Sequence, residues 1–153
     1  MNVTLRVDDL SGQEIRALIA RHLSGMHENS PPESVHALDI DRLKDPAVTF
    51  WSAWAGDALA SCGALKRLDA ERGEIKSMRV ADAFLGKGVG RAVLEHIVAE
   101  AQKRGFTSLW LETGSTDAFR PALGLYGSAG FRRCGPFGDY VDDPFSVFMT
   151  RTL

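Results

Sequence analysis

The sequence predicts a mixed α/β fold, with a central, mostly antiparallel sheet and helices on both faces. Three observations carry that prediction. Strand-like segments follow one another through short turns between Val48 and Val80. A long amphipathic segment, about Val89 to Lys103, then leads to a further strand. A second, shorter helical segment precedes two final strands. Strands joined by tight turns pair antiparallel, whereas a strand–helix–strand crossover pairs parallel, so one mixed sheet must hold both.

Each element has its own signal. Val3, Leu5 and Val7 alternate with polar residues, as in a half-buried strand. Ser11 with Glu14 three residues on forms a capping box for a helix whose apolar stripe is Ile15, Leu18, Ile19 and Leu23. His22 beside that stripe is expected to be a satisfied helix histidine. Gly25 to Pro32 is polar and turn-rich, so the helix should end before it. A second, short helix is expected over Ser34 to Leu43, ahead of Asp45-Pro46, because proline disfavours helix in the residue before it. Val48 to Ala55, Leu59 to Leu68 and Glu74 to Val80 read as a meander with turns at Gly56-Asp57 and Asp69 to Gly73. In the next helix Val89, Val93, Leu94, Ile97, Val98 and Ala101 share one half of the circumference, and Gly105 ends it. Thr107 to Thr113 is a strand, Phe119 to Ala129 a helix, and Phe131 to Cys134 and Phe145 to Thr150 the last strands. The order is β-α-α-β-β-β-α-β-α-β-β, with no repeat or linker, so residues 1–153 are expected to form a single domain.

Composition narrows the function. Hydrophobic residues are 44% and charged residues 25%, ordinary for a water-soluble globular domain, and the net charge of −2 gives no nucleic-acid footprint. No apolar run approaches the ~20 residues of a membrane helix. Met1 to Leu10 has no secretory apolar region, so a cytoplasmic location is the expectation. Cys62 and Cys134 form no C-x-x-C pair and are expected to be small buried hydrophobes, and no metal is expected.

The segment Leu85-Gly86-Lys87-Gly88-Val89-Gly90 stands between a strand and a strong helix. A helix start has unpaired N–H groups and a positive dipole end, and glycines let an anion approach the backbone. Such a turn can hold a pyrophosphate, with Lys87 and Arg91 adding charge; it can equally be a tight turn and nothing more. It is not a Walker loop, since Arg91 and Ala92 follow Gly90. It is not a dinucleotide fingerprint either, since Val93 stands where a third small residue is needed.

Met78-Arg79-Val80 followed by Leu85 to Gly90, then Leu109 to Glu112, Tyr126 and Gly130-Phe131, resembles the GNAT superfamily of N-acetyltransferases, in element order as well as motif. One departure is Leu85, where that family usually has Gln or Arg, at a position that contributes mainly its backbone N–H. The resemblance implies a sheet splayed between its fourth and fifth strands and acetyl-CoA as cofactor. It implies that Met78, Arg79 and Val80 line the pantetheine arm through their backbone, with the Met78 or Val80 N–H polarising the thioester carbonyl. Amides from Leu85, Gly86, Lys87, Gly88, Val89 and Gly90, with Arg91 beside them, would hold the pyrophosphate. Tyr126 would protonate the leaving thiolate.

For the acceptor, Glu74 is the candidate base on the strand that borders the acceptor site in the family, and Lys76, which shares its strand face, could bind an acceptor carboxylate or simply pair with Glu74. His27 and His36 flank the polar segment that often walls the acceptor there. Thr113 and Gly114 end the fifth strand where the sheet should open, and Phe137 and Tyr140 are candidate aromatic walls. Each has a bland alternative: Glu74 as a solvent-exposed hairpin carboxylate, the histidines as solvated loop residues, the aromatics as core. The activity expected is direct transfer of an acetyl group from acetyl-CoA to a small amine or amino-acid-like acceptor. A protein or peptide N-acetyltransferase and a non-catalytic acyl-CoA-binding regulatory domain are the alternatives. Neither nucleic acid nor membrane is expected as a partner, and a homodimer is left open.

Overall fold

The computed structural model describes residues 1–153. In chain order the elements are β1 (Thr4–Val7), α1 (Gln13–Asn29), α2 (Ile40–Leu43), β2 (Val48–Ala55), β3 (Ala58–Arg67), β4 (Arg72–Val80), α3 (Val89–Lys103), β5 (Ser108–Gly114), α4 (Arg120–Ser128), β6 (Arg132–Cys134) and β7 (Ser146–Thr152). Short 3-10 turns lie at Pro32–Ser34, Asp82–Phe84 and Asp117–Phe119. One sheet takes the order β1-β2-β3-β4-β5-β7-β6. Every neighbouring pair is antiparallel except β4 and β5, which are parallel across the α3 crossover.

The apolar residues of the strands alternate between two cores. On one face Val93, Leu94, Ile97 and Ala101 of α3 pack on Trp51, Ala53, Leu65, Ile75, Leu109 and Leu111. On the other Ile15, Leu18 and Ile19 of α1, with Leu43 of α2, pack on Phe50, Cys62 and Ala64. The two stripes on α1 and α3 are those the helical spacing predicts.

Two irregularities in β4 shape the centre. Its ladder to β5 covers only Arg72–Ile75 against Ser108–Leu111, so Lys76 to Val80 and Glu112 to Gly114 diverge without pairing to each other. The β3–β4 register also slips. Ala64 faces Lys76 but Cys62 faces Arg79, leaving Gly63 opposite both Ser77 and Met78. This is a β-bulge, and Ser77 takes φ of +56° within it. Gly63 makes the room: a Cβ there would lie 2.5 Å from Met78 Sδ and 2.8 Å from Val93 Cγ1.

Three local expectations are corrected. Ser11 is not the cap of α1; its hydroxyl donates to Asp9 Oδ1 at 2.6 Å, and Gly12 occupies the cap position without a side-chain bond. α1 does not stop before Gly25 but runs to Asn29, whose Nδ2 donates to the Gly25 carbonyl at 2.7 Å and closes the last turn. The second helix is only Ile40–Leu43, started by Asp39, whose carboxylate accepts from the Arg42 N–H at 2.9 Å. The Pro32–Ser34 turn ahead of it is held by Ser34 Oγ, which donates to Asp143 Oδ2 at 2.5 Å. Cys62 is fully buried and its thiol is pushed up to about 12, whereas Cys134 is only half-buried. No helix is long and apolar enough to cross a membrane.

Candidate active site

Where β4 and β5 part, a cavity of about 520 Å³ passes through the sheet. Its lining on the α3 face includes Val80, Gly90, Ala122, Leu125 and Tyr126. On the α1 face it includes His22, Met26, His36, Lys76, Arg79 and Glu112. The bulge at Ser77 produces that division. Cross-strand partners share a face, so Lys76 opposite Ala64 and Arg79 opposite Cys62 both project toward α1. Met78 and Val80 project toward α3, where Val80 Cγ2 lies 3.1 Å from where a Gly90 Cβ would stand.

Backbone amides supply the next layer. Ala81 donates its N–H to the Ala60 carbonyl at 2.8 Å, so strand alternation turns the Val80 N–H away from β3 and into the gap. Beyond β4, Gly86 and Gly88 have φ of +74° and +80°, conformations that glycine alone adopts without strain. No atom lies within 4 Å of where their side chains would be. Gly88 caps α3 without any side-chain bond, which leaves the first-turn amides free for an anion.

The family model for the acetyltransferase (GNAT) family matches residues 14–131. The chain belongs to the GNAT family. It is 55% identical over 149 residues to the uncharacterized N-acetyltransferase YsnE of Bacillus subtilis (strain 168), covering 97% of this chain and 99% of that one. It is 49% identical over 150 residues to the uncharacterized N-acetyltransferase YedL of Escherichia coli (strain K12), covering 98% and 94%. Among solved structures it is similar to a GNAT family acetyltransferase from Elizabethkingia anophelis with acetyl-CoA bound, at TM-score 0.72, 20% identity and 99% coverage of both chains. This GNAT protein is therefore an acyltransferase with the fold its sequence predicts.

The residues expected to bind the cofactor are placed as follows. Met78, Arg79, Val80, Leu85, Gly86 and Gly90 line the cavity. Lys87 and Gly88 stand exposed on the turn, and the Val89 side chain is core, so Gly88 and Val89 have only backbone to offer. Arg91 is exposed and its Nη2 donates to Ser128 Oγ at 2.5 Å. Tyr126 is 6% exposed, packs edge-on against Phe131, and is held protonated because burial pushes its phenol well up.

On the acceptor side several expectations change. Glu74 is neither solvent-exposed nor on the cavity wall: it is 3% exposed and its Oε2 accepts from Tyr140 Oη at 2.6 Å and Lys76 Nζ at 3.1 Å. Its charge is committed to that network. Phe137 is core, in edge-on contact with Tyr140 and Phe148 and in tilted contact with Trp110, and Tyr140 stands behind the wall, contacting His36 edge-on. His27 is on the exposed outer face of α1, because the helix continues through it. Gly114 does not line the cavity; a Cβ there would lie 2.1 Å from Phe119. His36, Lys76 and Thr113 do line it.

Sequence reasoning missed three groups. Glu112 lines the cavity, accepts from Ser146 Oγ at 2.7 Å, and is raised above the usual carboxylate range by burial, an effect opposed by that bond, His36 and Lys76. Its signal was an acid in the otherwise apolar run Leu109-Trp110-Leu111. His22 is not satisfied: Nδ1 has no partner, and burial, with Arg79 nearby, pushes the ring down to about 4, so it is neutral. Ser77 Oγ is likewise enclosed and unpartnered. No group of three His, Cys, Asp or Glu side chains is arranged to hold a metal.

Proposed function

We propose that this enzyme moves the acetyl group of acetyl-CoA directly to the amine of a small acceptor. The observation that carries the reading is the cavity through the splayed sheet, with Tyr126 on one side and Glu112 on the other. Two substrates can then meet from opposite faces, which direct transfer requires. The first-turn amides of α3 and the Gly86–Gly88 turn take the pyrophosphate, and the free edge of Met78 to Val80 takes the pantetheine arm as an added strand.

The amine nitrogen attacks the thioester carbonyl carbon. The new C–N bond forms as the C–S bond breaks. The Val80 N–H stabilises the negative charge that develops on the carbonyl oxygen. The proton lost by the amine goes to Glu112, directly or through one water, and the thiolate takes the Tyr126 proton. Glu112 replaces Glu74 as the base in this scheme; Glu74 instead holds Lys76 and Tyr140 in place. A small acceptor is favoured because α1, through His22, Gly25, Met26 and Asn29, and the segment His36-Ala37 wall the acceptor side.

Thiol release from acetyl-CoA against a panel of amines tests the reading. Tyr126→Phe should lower kcat by roughly 10- to 10³-fold, around the range for one general acid, with the affinity for acetyl-CoA unchanged. An unchanged kcat assigns Tyr126 to packing on Phe131. A wild-type protein that binds no acetyl-CoA in calorimetry overturns the reading as a whole.

A further inference from the structure

The acceptor side of the cavity holds a cation without a counter-ion. Arg79 makes no salt bridge, although the chain's other close ion pairs include the buried Lys76–Glu74 pair. Its guanidinium reaches α1 at Gly25, where Nη1 lies 3.0 Å from the position a Cβ would take. Arg21 Nη1 comes to 3.3 Å from the same point. Two guanidinium groups thus converge over one glycine in a helix interior, a place where glycine is disfavoured by about 1 kcal/mol. Asp82, 3.5 Å from Arg21 Nε and largely exposed, and the more distant Glu28 offset them in part, without a salt bridge to Arg79. Like charges brought together in a partly desolvated site repel, and an anion between them relieves the repulsion.

Two further polar groups line the same cavity with nothing to bond. His22 is 7% exposed and Ser77 8%, and His22 Nδ1 and Ser77 Oγ are both enclosed and unpartnered. Buried polar atoms are nearly always satisfied, so two orphans beside a free guanidinium mark the place of an absent partner. A neutral imidazole and a hydroxyl can each donate a hydrogen bond, and arginine grips a carboxylate through two parallel N–H groups.

We propose that the acceptor is a small amino carboxylate, an amino acid in the first instance, whose carboxylate is bound by Arg79 with Ser77 Oγ and His22 beside it. This rests on the acetyl-transfer reading above and names its substrate class. The carboxylate goes to Arg79 and the amine toward Glu112, which lines the same side of the gap. A phosphate of coenzyme A is the other anion available. The face argues against it: Arg79 projects toward α1 with its partner Cys62, whereas the glycine turn opens α3, which packs on the opposite face.

The test pairs each of the common L-amino acids with its α-amide in the thiol-release assay, for wild type and Arg79→Met. Calorimetry with coenzyme A accompanies it. At least one amino acid should be acetylated with kcat/KM roughly 10²-fold above its amide, since a site built for a charged partner rejects the neutral analogue. Arg79→Met should shrink that ratio to about threefold, with coenzyme A affinity unchanged. Its melting temperature should not fall, because an unpartnered like charge has been removed. Ser77→Ala should raise KM for the same amino acid and spare coenzyme A. Equal use of amino acids and amides overturns the proposal, as does acetylation of neutral amines alone. Weakened coenzyme A binding in Arg79→Met also overturns it and assigns the guanidinium to a phosphate. Failure of the acetyl-transfer reading is distinct, since wild type would then bind no coenzyme A.

Discussion

Ser77→Gly should make the protein more stable and a poorer enzyme. Ser77 holds φ of +56° in the bulge, a region that costs an L-residue roughly 1–2 kcal/mol. Its Oγ is buried without a partner, which costs about 1–3 kcal/mol. Glycine removes both penalties and adds back about 0.5–1 kcal/mol of unfolded-chain entropy. The net gain is about 2 kcal/mol, or roughly 4–8 °C in melting temperature for a chain of this size. Thermal unfolding by circular dichroism measures it. Ser77→Ala separates the parts, because it removes the hydroxyl and keeps the strain, so it should gain less than glycine. A melting temperature at or below wild type for Ser77→Gly refutes the idea that the bulge stores strain there. KM for the acceptor should rise in both variants while acetyl-CoA affinity holds. That combination is what a residue kept for function at the expense of stability produces.

Two other substitutions separate chemistry from architecture among the carboxylates. Glu112→Gln should lower kcat by about 10²- to 10⁴-fold. In wild type the base works ionised, so kcat/KM should fall as pH drops through a value above the ordinary carboxylate range, because burial raises Glu112; a pH–rate profile whose acid limb persists in the Gln variant removes it as the base. Glu74→Gln should do the reverse, leaving the acid limb in place while costing about 3 kcal/mol, since it strips the counter-ion from Lys76, whose side chain is 8% exposed. A melting temperature within 2 °C of wild type, against an expected drop of roughly 6–12 °C, would show that the pair is not structural.

The parts of the fold set by periodicity were legible in the sequence. Alternation, strand-forming residues and turn signals placed every strand within a few residues, and the stripe Val93, Leu94, Ile97, Ala101 identified the α3 face that is buried. The glycine turn was legible because only glycine adopts the φ of Gly86 and Gly88 without strain. What failed depended on contacts between distant segments. Gly25 looked like a helix end because its reason, the approach of Arg79 from β4, lies 54 positions away in the chain. His27 was misplaced with it. The pairing of Glu74 with Lys76 was legible from their shared strand face, but its burial under Tyr140 was not, because Tyr140 comes from the loop before β7.

The deeper miss concerns β4, a strand whose bulge means that alternation alone cannot assign its faces. Perfect alternation puts Glu74, Lys76, Met78 and Val80 on one face, and Arg79 on the other with Ile75. The structure keeps Glu74 and Lys76 together, as the spacing implies, and then inserts one residue at Ser77. Every side chain after the bulge changes face. Met78 and Val80 thereby turn to α3 and the glycine turn, and Arg79 joins Lys76 on the side of α1. Without the bulge, Arg79 would enter the α3 core beside Ile75, where a guanidinium has no partner and no water. The bulge therefore lets the two halves of one strand present different residues to the two faces of the sheet. Lys76 of the first half and Arg79 of the second project toward α1, while Met78 and Val80 project toward α3, the division that the proposed two-substrate scheme uses. The signal was present as Gly63, whose missing side chain admits the displaced Met78, but a glycine in the middle of a strand gains that meaning only once its cross-strand neighbour is known.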